Sequence, residues 1–407
     1  MFFFPERAGR LALALMALCC ASITGAQQRM TADEAVERAL SREQWQQEWR
    51  APVDMAHGEV TLARTLPNPS LVLSREQLGD TATADGEETS VMLSQPLEFG
   101  GRRGARIRAA EAGLAVAEVA SIRDQRRVRA DVLRAYYAAV AAEQHREARA
   151  KALTALESLA GIAGKRREGG DLSGYEARRI QQAAGEAHAA HADAEADARA
   201  ARAALVAWAG PDADTAILDD GIPLPALPED AGAGSTDLDL AAAERARAEA
   251  ELAAASSLSL PVTVGIGRTR VRQGDWSDEG LRLEVNVGLP LFDRRQGERA
   301  RARAALSLAE ARHEREQRQL AIRSAALLEQ ARVLAASAER ITSQLLPEAT
   351  ALTALARASF SEGELDLIAL LDAYDTEAAL VERGLSDRLR ALDAALALEA
   401  LAPSPGH

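Results

Sequence analysis

Residues 93–103 read LSQPLEFGGRR, and residues 287–295 read VGLPLFDRR. Each segment follows a stretch in which apolar and polar residues alternate, and each leads into a very long stretch rich in Ala, Arg and Glu. Pro96 and Pro290 are 194 residues apart. Similarity at a fixed separation indicates an internal repeat. A repeat determines the whole architecture, so it is identified before individual elements are assigned.

A second pair of similar segments supports the repeat. Residues 168–172 read EGGDL and residues 362–365 read EGEL, with Gly170 and Gly363 193 residues apart. The chain is therefore predicted to be a duplication in which each copy contributes two strands and two long helices. Glycine lets two helices reverse sharply and lets another backbone approach closely. By itself, such a turn is an ordinary connection within a helical hairpin.

The composition favours long helices over close-packed mixed domains. Of the 407 residues only 3% are aromatic, and Ala, Glu and Arg dominate the central segments. No apolar run of 18 residues follows residue 30, which excludes membrane-spanning helices there. The net charge of −13 with dispersed arginines excludes nucleic acid as a partner, because nucleic acid requires a basic surface.

The first residues are typical of a secretory signal peptide, predicted at 1–26. Arg7 and Arg10 precede a short apolar run and a small-residue cleavage site. Cys19 and Cys20 would leave with this segment, so the exported chain would have no thiol chemistry. Lipidation of one of these cysteines is the alternative, although the flanking residues do not resemble a lipidation signal.

Four segments alternate between apolar and polar residues, which is typical of strands whose two faces meet different surroundings. They are predicted at 70–77, 89–97, 260–271 and 280–291. A soluble antiparallel sheet is one interpretation, and an outer-membrane β-barrel is the other. We favour the barrel, since the chain is exported and offers no further strands. Lipid tolerates no open sheet edge, so three chains would be needed for a 12-stranded barrel.

Helical patterns fill the rest of the chain. A short helix is predicted at 31–50, starting at Thr31 with Glu34 in the capping-box position. Pro347 is predicted to interrupt a longer helix, because proline removes a helical hydrogen bond. The predicted divisions are the signal peptide 1–26, a first copy 27–210 with helices 101–167 and 171–209, a linker 211–236, a second copy 237–402 with helices 293–361 and 365–401, and a tail 403–407.

These residues resemble the TolC-like outer-membrane efflux channels, and more closely the outer-membrane component of cobalt–zinc–cadmium type systems. The segments that carry the resemblance are LPNPSL at 66–71, QPLEFGGRR at 95–103, LLPEA at 345–349, GELDL at 363–367 and LLDA at 370–373. With the duplication, the resemblance extends from residue 27 nearly to the end of the chain.

The resemblance implies a mainly α-helical fold with a small β part, assembled as a homotrimer. Its 12-stranded barrel would lie in the outer membrane of a Gram-negative cell, continuous with a helical barrel that projects into the periplasm. Residues 31–50 and 211–256 would form a belt around the helices. The turns that join the β-barrel to the helices would contain Pro96, Gly100, Gly101 and Pro290. The turns at the periplasmic end, where a membrane-fusion adaptor docks, would be formed by Gly170, Asp171, Leu172, Gly363, Glu364 and Leu365.

Related channels narrow the pore near these turns with acidic residues, and Asp372 matches one such position. A threefold ring of Asp372 would favour cations, whereas a solvated carboxylate on a helix face is the alternative. The first copy has Arg178 and Arg179 after its turn, and the second has Asp372 and Asp375. We expect this difference between the copies to matter for gating.

No motif for catalysis appears, so an enzyme is not expected, and no cofactor is expected either. His188 and His191 are close enough in sequence for a weak metal site, although a solvated helix face is the favoured interpretation. The predicted function is the exit duct of a tripartite efflux system for heavy-metal cations, with an adaptor, an inner-membrane RND-type pump and outer-membrane lipid as partners. A duct for organic solutes or type I secretion is one alternative, and a periplasmic coiled-coil protein without a pore is another.

Overall fold

The computed structural model describes most of the chain, namely residues 29–78, 86–218, 221–230, 234–257 and 260–401. The predicted signal peptide, both cysteines and the predicted tail lie outside these residues. The described part is mostly helical with a small sheet part, as the sequence predicts.

The described part of the chain begins with a two-residue strand and two helices. Strand β1 (Arg29–Met30) precedes α1 (Ala32–Ser41) and α2 (Glu43–Arg64). The capping box at the start of α1 is confirmed, with both reciprocal hydrogen bonds between Thr31 and Glu34 present. The single helix predicted at 31–50 is wrong, because the chain is extended at Arg42 between the two helices. The Arg42 guanidinium donates hydrogen bonds to the carbonyl oxygens of Ala207 and Trp208 at 2.7 and 3.0 Å.

Four strands form one antiparallel sheet. They are β2 (Ser70–Leu78), β3 (Gly86–Glu98), β5 (Pro261–Gln273) and β6 (Trp276–Val287), and the order across the sheet is β2-β3-β5-β6. Strand β4 (Ile217–Leu218) pairs with β1 in a separate, parallel two-stranded ladder. Every neighbouring pair in the large sheet is antiparallel.

The last two strands differ from their predicted bounds. The predicted strands 260–271 and 280–291 leave residues 272–279 as a loop between them. In the structure Gly274 and Asp275 alone make the turn, and Gly274 has a φ of +59°. The remaining polar residues continue the strand ladder. At the other end β6 stops at Val287, four residues before the predicted end, since Gly288 donates its last hydrogen bond to Pro261. Pro290 follows and has no N–H with which to extend the ladder.

The register gives the sheet two chemically different faces. The face that we call the apolar face carries exposed aliphatic side chains: Leu71, Leu73, Val91, Leu93, Val264, Ile266, Leu281, Leu283, Val285 and Val287. The opposite face, the small-residue face, carries mainly short and polar side chains: Ser74, Ser90, Ser94, Thr263, Gly265, Gly267 and Asn286. Strand Cβ atoms alternate between faces, so the sequence alternation is what separates the two sets.

The remaining helices are long. They are α3 (Arg102–Gly169), α4 (Gly174–Ala209), α5 (Thr236–Ser256), α6 (Gln296–Arg340), α7 (Leu346–Glu362) and α8 (Leu367–Leu401). One π-helical turn, Ile341–Leu345, separates α6 from α7, and Pro347 lies in the first turn of α7. The interruption predicted at Pro347 is therefore confirmed. It takes the form of a π turn, which admits a residue without the usual helical hydrogen bond.

The chain divides into two compact units. Of the residues described, one unit contains those from Arg29 to Arg42, Arg129–Leu227 and Glu329–Leu396, and it includes both turns that follow α3 and α7. The other contains Glu43–Val128, Pro228–Leu328 and the residues from Ala397, and it includes the four-stranded sheet.

Candidate functional site

Both Gly-centred turns have the same backbone geometry. In the first, Gly170 has a φ of +83°, and the Asp171 N–H donates to the Arg166 carbonyl at 2.9 Å. In the second, Gly363 has a φ of +82°, and the Glu364 N–H donates to the Ser359 carbonyl at 2.9 Å. Bonds that span five residues around a left-handed residue define the Schellman motif, which ends a helix and satisfies its last carbonyls. Glycine is required at both positions because a side chain would strain this conformation.

The helix that follows each turn starts with a different cap. Ser173 caps α4 through a capping box with Glu176, whereas Asp366 accepts a hydrogen bond from the Ala369 N–H at 2.8 Å before α8. The Ser173 hydroxyl accepts a hydrogen bond from the Glu176 N–H at 3.2 Å, and the Ser173 N–H donates to the Glu176 carboxylate at 3.0 Å. Hydrogen bonding to Ser173 holds the pKa of Glu176 below its usual value. The two turns thus share a backbone and differ in the chemistry of their caps.

A common hydrophobic core lies behind the two turns. Buried side chains from α3, α4, α7 and α8 form one cluster: Leu156, Leu159, Ala163, Ile180, Ala356, Phe360, Leu367, Leu370, Leu371 and Ala373. Leu172 and Leu365, the third residues of the two predicted docking segments, pack against this cluster. The other four members of those segments, Gly170, Asp171, Gly363 and Glu364, are exposed. The leucines anchor the turns, and the residues before them remain exposed.

Arg166 joins the two turns directly. Its guanidinium group donates hydrogen bonds to the carbonyls of Phe360 at 3.3 Å and Ser361 at 2.7 Å, and it lies 5.5 Å from the centre of the Phe360 ring. These carbonyls belong to the last turn of α7. A guanidinium at a helix C-terminus interacts favourably with the exposed carbonyls and with the helix dipole. Sequence analysis did not single out Arg166; its position four residues before Gly170 was the available signal.

The predicted gate residues lie on the helices that follow the turns. Asp372 and Asp375 are exposed on α8, and Arg178 is exposed and Arg179 half-buried on α4. Within the described part of the chain, none of these four side chains forms an ion pair with another residue. The structure therefore brings the basic pair and the acidic pair to corresponding helices without joining them to each other.

The residues predicted for the turns between strands and helices are only partly in turns. Gly100 and Gly101 form a turn with φ values of +81° and +80°. Pro96 lies instead within β3, where it pairs with Thr263 of β5. Its missing N–H is tolerated because the other neighbour, β2, stops at Ser70 opposite Ser94.

Pro290 lies between β6 and α6, and the turn there has no glycine pair. Arg295 adopts a φ of +59°, and its N–H bonds the Asp293 carboxylate at 2.8 Å. A side-chain carboxylate that bonds the backbone two residues later makes a local turn. The two strand-to-helix connections therefore reach the same topology with different local chemistry.

Arg106 fixes the first of these connections, and sequence analysis did not single it out. Both of its terminal nitrogens donate to the Glu98 carboxylate, and its Nε donates to the Ala63 carbonyl at 3.1 Å. One half-buried guanidinium thus ties together the end of α2, the end of β3 and the start of α3. A bidentate Arg–carboxylate pair of this kind also sets orientation.

No catalytic constellation or metal centre is found in the residues described. His188 is exposed and His191 half-buried on α4, and no group of three or more His, Cys, Asp or Glu side chains is placed to hold a metal ion. None of the described helices combines the length and hydropathy needed to cross a membrane.

Comparison with known proteins agrees with the fold. Residues 35–211 match the family model of the outer membrane efflux proteins. This segment runs from α1 to the residues just after α4, and it includes β2, β3 and the first Gly-centred turn. No curated protein sequence matches the chain. The matched family and its structural relatives are transport ducts without enzymatic activity, so the prediction that the chain is not an enzyme is confirmed.

Several solved structures share the fold over nearly the whole chain. The outer membrane protein VceC of Vibrio cholerae is 18% identical, with 92% of this chain and 96% of that chain covered and a TM-score of 0.76. CusC, described for its transmembrane channel formation, is 15% identical, with 92% of each chain covered and a TM-score of 0.74. The open state of the Neisseria gonorrhoeae outer membrane channel MtrE is 18% identical, with 91% and 89% covered and a TM-score of 0.65. At these identities the likeness shows the fold.

Proposed function

We propose that the protein is the outer-membrane exit duct of a tripartite efflux system. It acts as a homotrimer, with a 12-stranded barrel in the outer membrane of a Gram-negative cell and helices projecting into the periplasm. A periplasmic adaptor and an inner-membrane RND-type pump supply the substrate and the energy. The observation that carries the proposal is the apolar face of the sheet, which is exposed although it consists of large aliphatic side chains.

The extent of this face fits a lipid bilayer. Leu281, Leu283, Val285 and Val287 are 45–71% exposed on one strand. Four alternate positions, each pair separated by about 6.8 Å along a strand, span about 20 Å before the turns are added, and outer-membrane barrels present an apolar band about 25 Å tall. Phe99 and Phe292, 51% and 92% exposed, follow the strands at the end nearest the helices. Aromatic residues at the edges of the apolar band are typical of such barrels.

The edges of the sheet supply the reason for a trimer. Strands β2 and β6 each pair on one side only within the described residues, and lipid tolerates no unpaired strand edge. Because the sheet has four strands that alternate in direction, β6 of one copy runs antiparallel to β2 of the next when copies join edge to edge. Three copies then give an even-numbered, fully antiparallel barrel.

The adaptor docks at the two Gly-centred turns. Support comes from the exposed backbone at Gly170 and Gly363, the short polar segments beside them, and the packed core that holds them in place. Each trimer presents six such turns. A hairpin-ended partner can approach the glycines closely because they carry no side chain.

Heavy-metal cations are the substrate that we propose. The exposed carboxylates of Asp372 and Asp375 lie about one and a half and about two helical turns into α8, and rings of carboxylates favour cations in channels. Asp372→Asn in a planar bilayer should reduce the preference for cations, and Glu362→Gln, which removes an exposed charge before the turn, serves as the control. An unchanged cation preference in Asp372→Asn would remove the proposed ring. Loss of resistance to zinc, cobalt and cadmium, without loss of resistance to organic toxins, is the expected phenotype of a deletion.

Fractionation tests the proposed function itself. The protein should be recovered with the outer membrane, require detergent for extraction and run as a trimer that conducts ions in a planar bilayer. A water-soluble monomer or dimer without conductance would contradict the duct and support a periplasmic coiled-coil protein.

A further inference from the structure

The apolar face ends abruptly toward the hairpin turn between β5 and β6. The register places Leu73, Val91 and Leu281 in one row across the sheet together with Arg268. The next two rows toward the hairpin turn contain no large aliphatic side chain: Arg75, Thr89, Arg270 and Glu279, then Gln77, Glu87, Arg272 and Ser277. The change from apolar to charged side chains therefore takes place over one row, about 6.8 Å along the strands.

Strand β5 carries three arginines at alternate positions across this boundary. Arg268, Arg270 and Arg272 are all exposed, and all lie on the face that carries the aliphatic residues. We call these three residues the arginine ladder. With Arg75 the two charged rows and the boundary row hold four arginines and two glutamates, in a chain whose net charge is −13. The local excess of positive charge is opposite in sign to the charge of the whole protein.

Two of the ladder's guanidinium groups form no direct ion pair with a described residue. Arg270 forms an ion pair with Glu279, and Arg75 forms one with Glu87 at 2.6 Å. Arg268 and Arg272 make no ion pair or hydrogen bond through their side chains with any residue that the structure describes. Arg268 is the closer of the two to the hydrocarbon region, because it shares its row with three aliphatic side chains.

An arginine in this position favours a phosphate partner. On the lipid face of a barrel an arginine is costly near the bilayer centre and tolerated near the interface, where its long stem reaches the headgroups. A planar guanidinium binds phosphate through two parallel hydrogen bonds. The aliphatic residues in and below the boundary row would at the same time contact the acyl chains of the same lipid.

We propose that the arginine ladder is a binding site for a lipid whose headgroup carries a phosphate monoester, held in the outer half of the membrane. The proposal rests on the barrel assigned above, since the ladder faces lipid only if the apolar face does. Arg268 and Arg272 bind the phosphate, and Arg270 remains paired with Glu279.

Native mass spectrometry of the detergent-solubilised trimer tests the site. The probes are dioctanoyl phosphatidic acid, which carries the monoester, and dioctanoyl phosphatidylcholine, which carries no net charge. The unaltered protein should bind phosphatidic acid at least about tenfold more tightly, a difference that one or two charge-assisted hydrogen bonds supply. Equal affinity for the two lipids would overturn the proposal without any variant.

Two variants distinguish binding at the arginine ladder from attraction of the lipid by positive charge elsewhere on the protein. The double variant Arg268→Gln/Arg272→Gln should lose the preference for phosphatidic acid, whereas Arg282→Gln, on the small-residue face of the adjacent strand, should keep it. A preference that survives in the double variant would overturn the proposal. Trimer formation and conductance are measured on the same samples. A protein that conducts but shows no lipid preference contradicts the ladder alone, whereas a protein that is soluble and does not conduct contradicts the proposed function.

Discussion

At the residue scale, Arg166 shows that one side chain can hold together two helix ends that are distant in sequence. It bonds two carbonyls of α7 and stacks over Phe360, so it connects segments that are 194 residues apart in sequence. We expect Arg166→Ala to expose the last turn of α7 and to speed amide exchange of residues 359–365 by about tenfold, because the lost bonds and the ring contact each contribute about 0.5–1.5 kcal/mol.

Arg167→Ala is the matched control for Arg166→Ala, since Arg167 is exposed in the same helical turn. It should leave exchange at residues 359–365 unchanged. Equal exchange in the two variants would mean that Arg166 does not hold the turns together. In bilayers, a protein whose turns are held by Arg166 should also show a higher resting conductance after Arg166→Ala.

Glu176 makes the first turn sensitive to acid. The bonds from Ser173 lower its pKa in the folded chain, so its contribution is complete above the pKa of an unfolded glutamate, about 4.3, and is lost as the pH falls through the lower folded value. Glu176→Gln should therefore speed exchange of the first amides of α4 at pH 7, and the difference should shrink as the pH is lowered below about 4.3. Glu157→Gln, an exposed change on α3, should have no effect at any pH. A difference for Glu176→Gln that is the same at pH 7 and in acid would exclude the carboxylate as the cause.

Gly267 matters at the scale of the sheet. A Cβ at this position would lie 2.3 Å from the Val91 carbonyl oxygen and 3.0 Å from the Met92 Cα, whereas a Cβ at Gly280 would meet nothing within 4 Å. Gly267→Ala should therefore cost about 1–3 kcal/mol by forcing β3 and β5 apart. The fraction of oligomer that resists dissociation in SDS at increasing temperature measures this loss. Gly280→Ala should behave like the unaltered protein, and equal loss in both would contradict the steric explanation.

The same strands show what sequence patterns can predict. Period-two alternation depends only on the two faces of a strand, so the sequence predicts four strands with one apolar face each without knowledge of their partners. The ends of the strands were not, because Gly274 and Asp275 turn the chain inside a longer polar run that resembled a loop. No proline or glycine lies beside Arg42, so the sequence gives no local signal for the end of α1 there. Arg166 and Phe360 meet through tertiary packing, and no local pattern contains that contact.

At the scale of the whole molecule, the proposed membrane position makes the two sheet faces unequal. Leu283→Arg places a charge in the middle of the apolar face and should cost about 2–4 kcal/mol in a bilayer. Asn286→Arg places the same side chain on the small-residue face and should cost much less. Immunodetection in outer-membrane fractions measures both. Equal recovery of the two variants would mean that the apolar face does not meet lipid.

Within the described residues β2 and β6 each have one unpaired edge, which has a consequence for a newly made chain if three copies form the proposed barrel. Before it joins other copies, such a chain carries these edges beside an exposed aliphatic surface, the combination that templates aggregation. Productive assembly then competes with misassociation, and the outcome depends on how many copies are present at once. A low concentration of chains would limit formation of the proposed trimer, whereas a high concentration would favour aggregation. We therefore expect the yield of the proposed trimer to depend on the rate at which new chains are supplied.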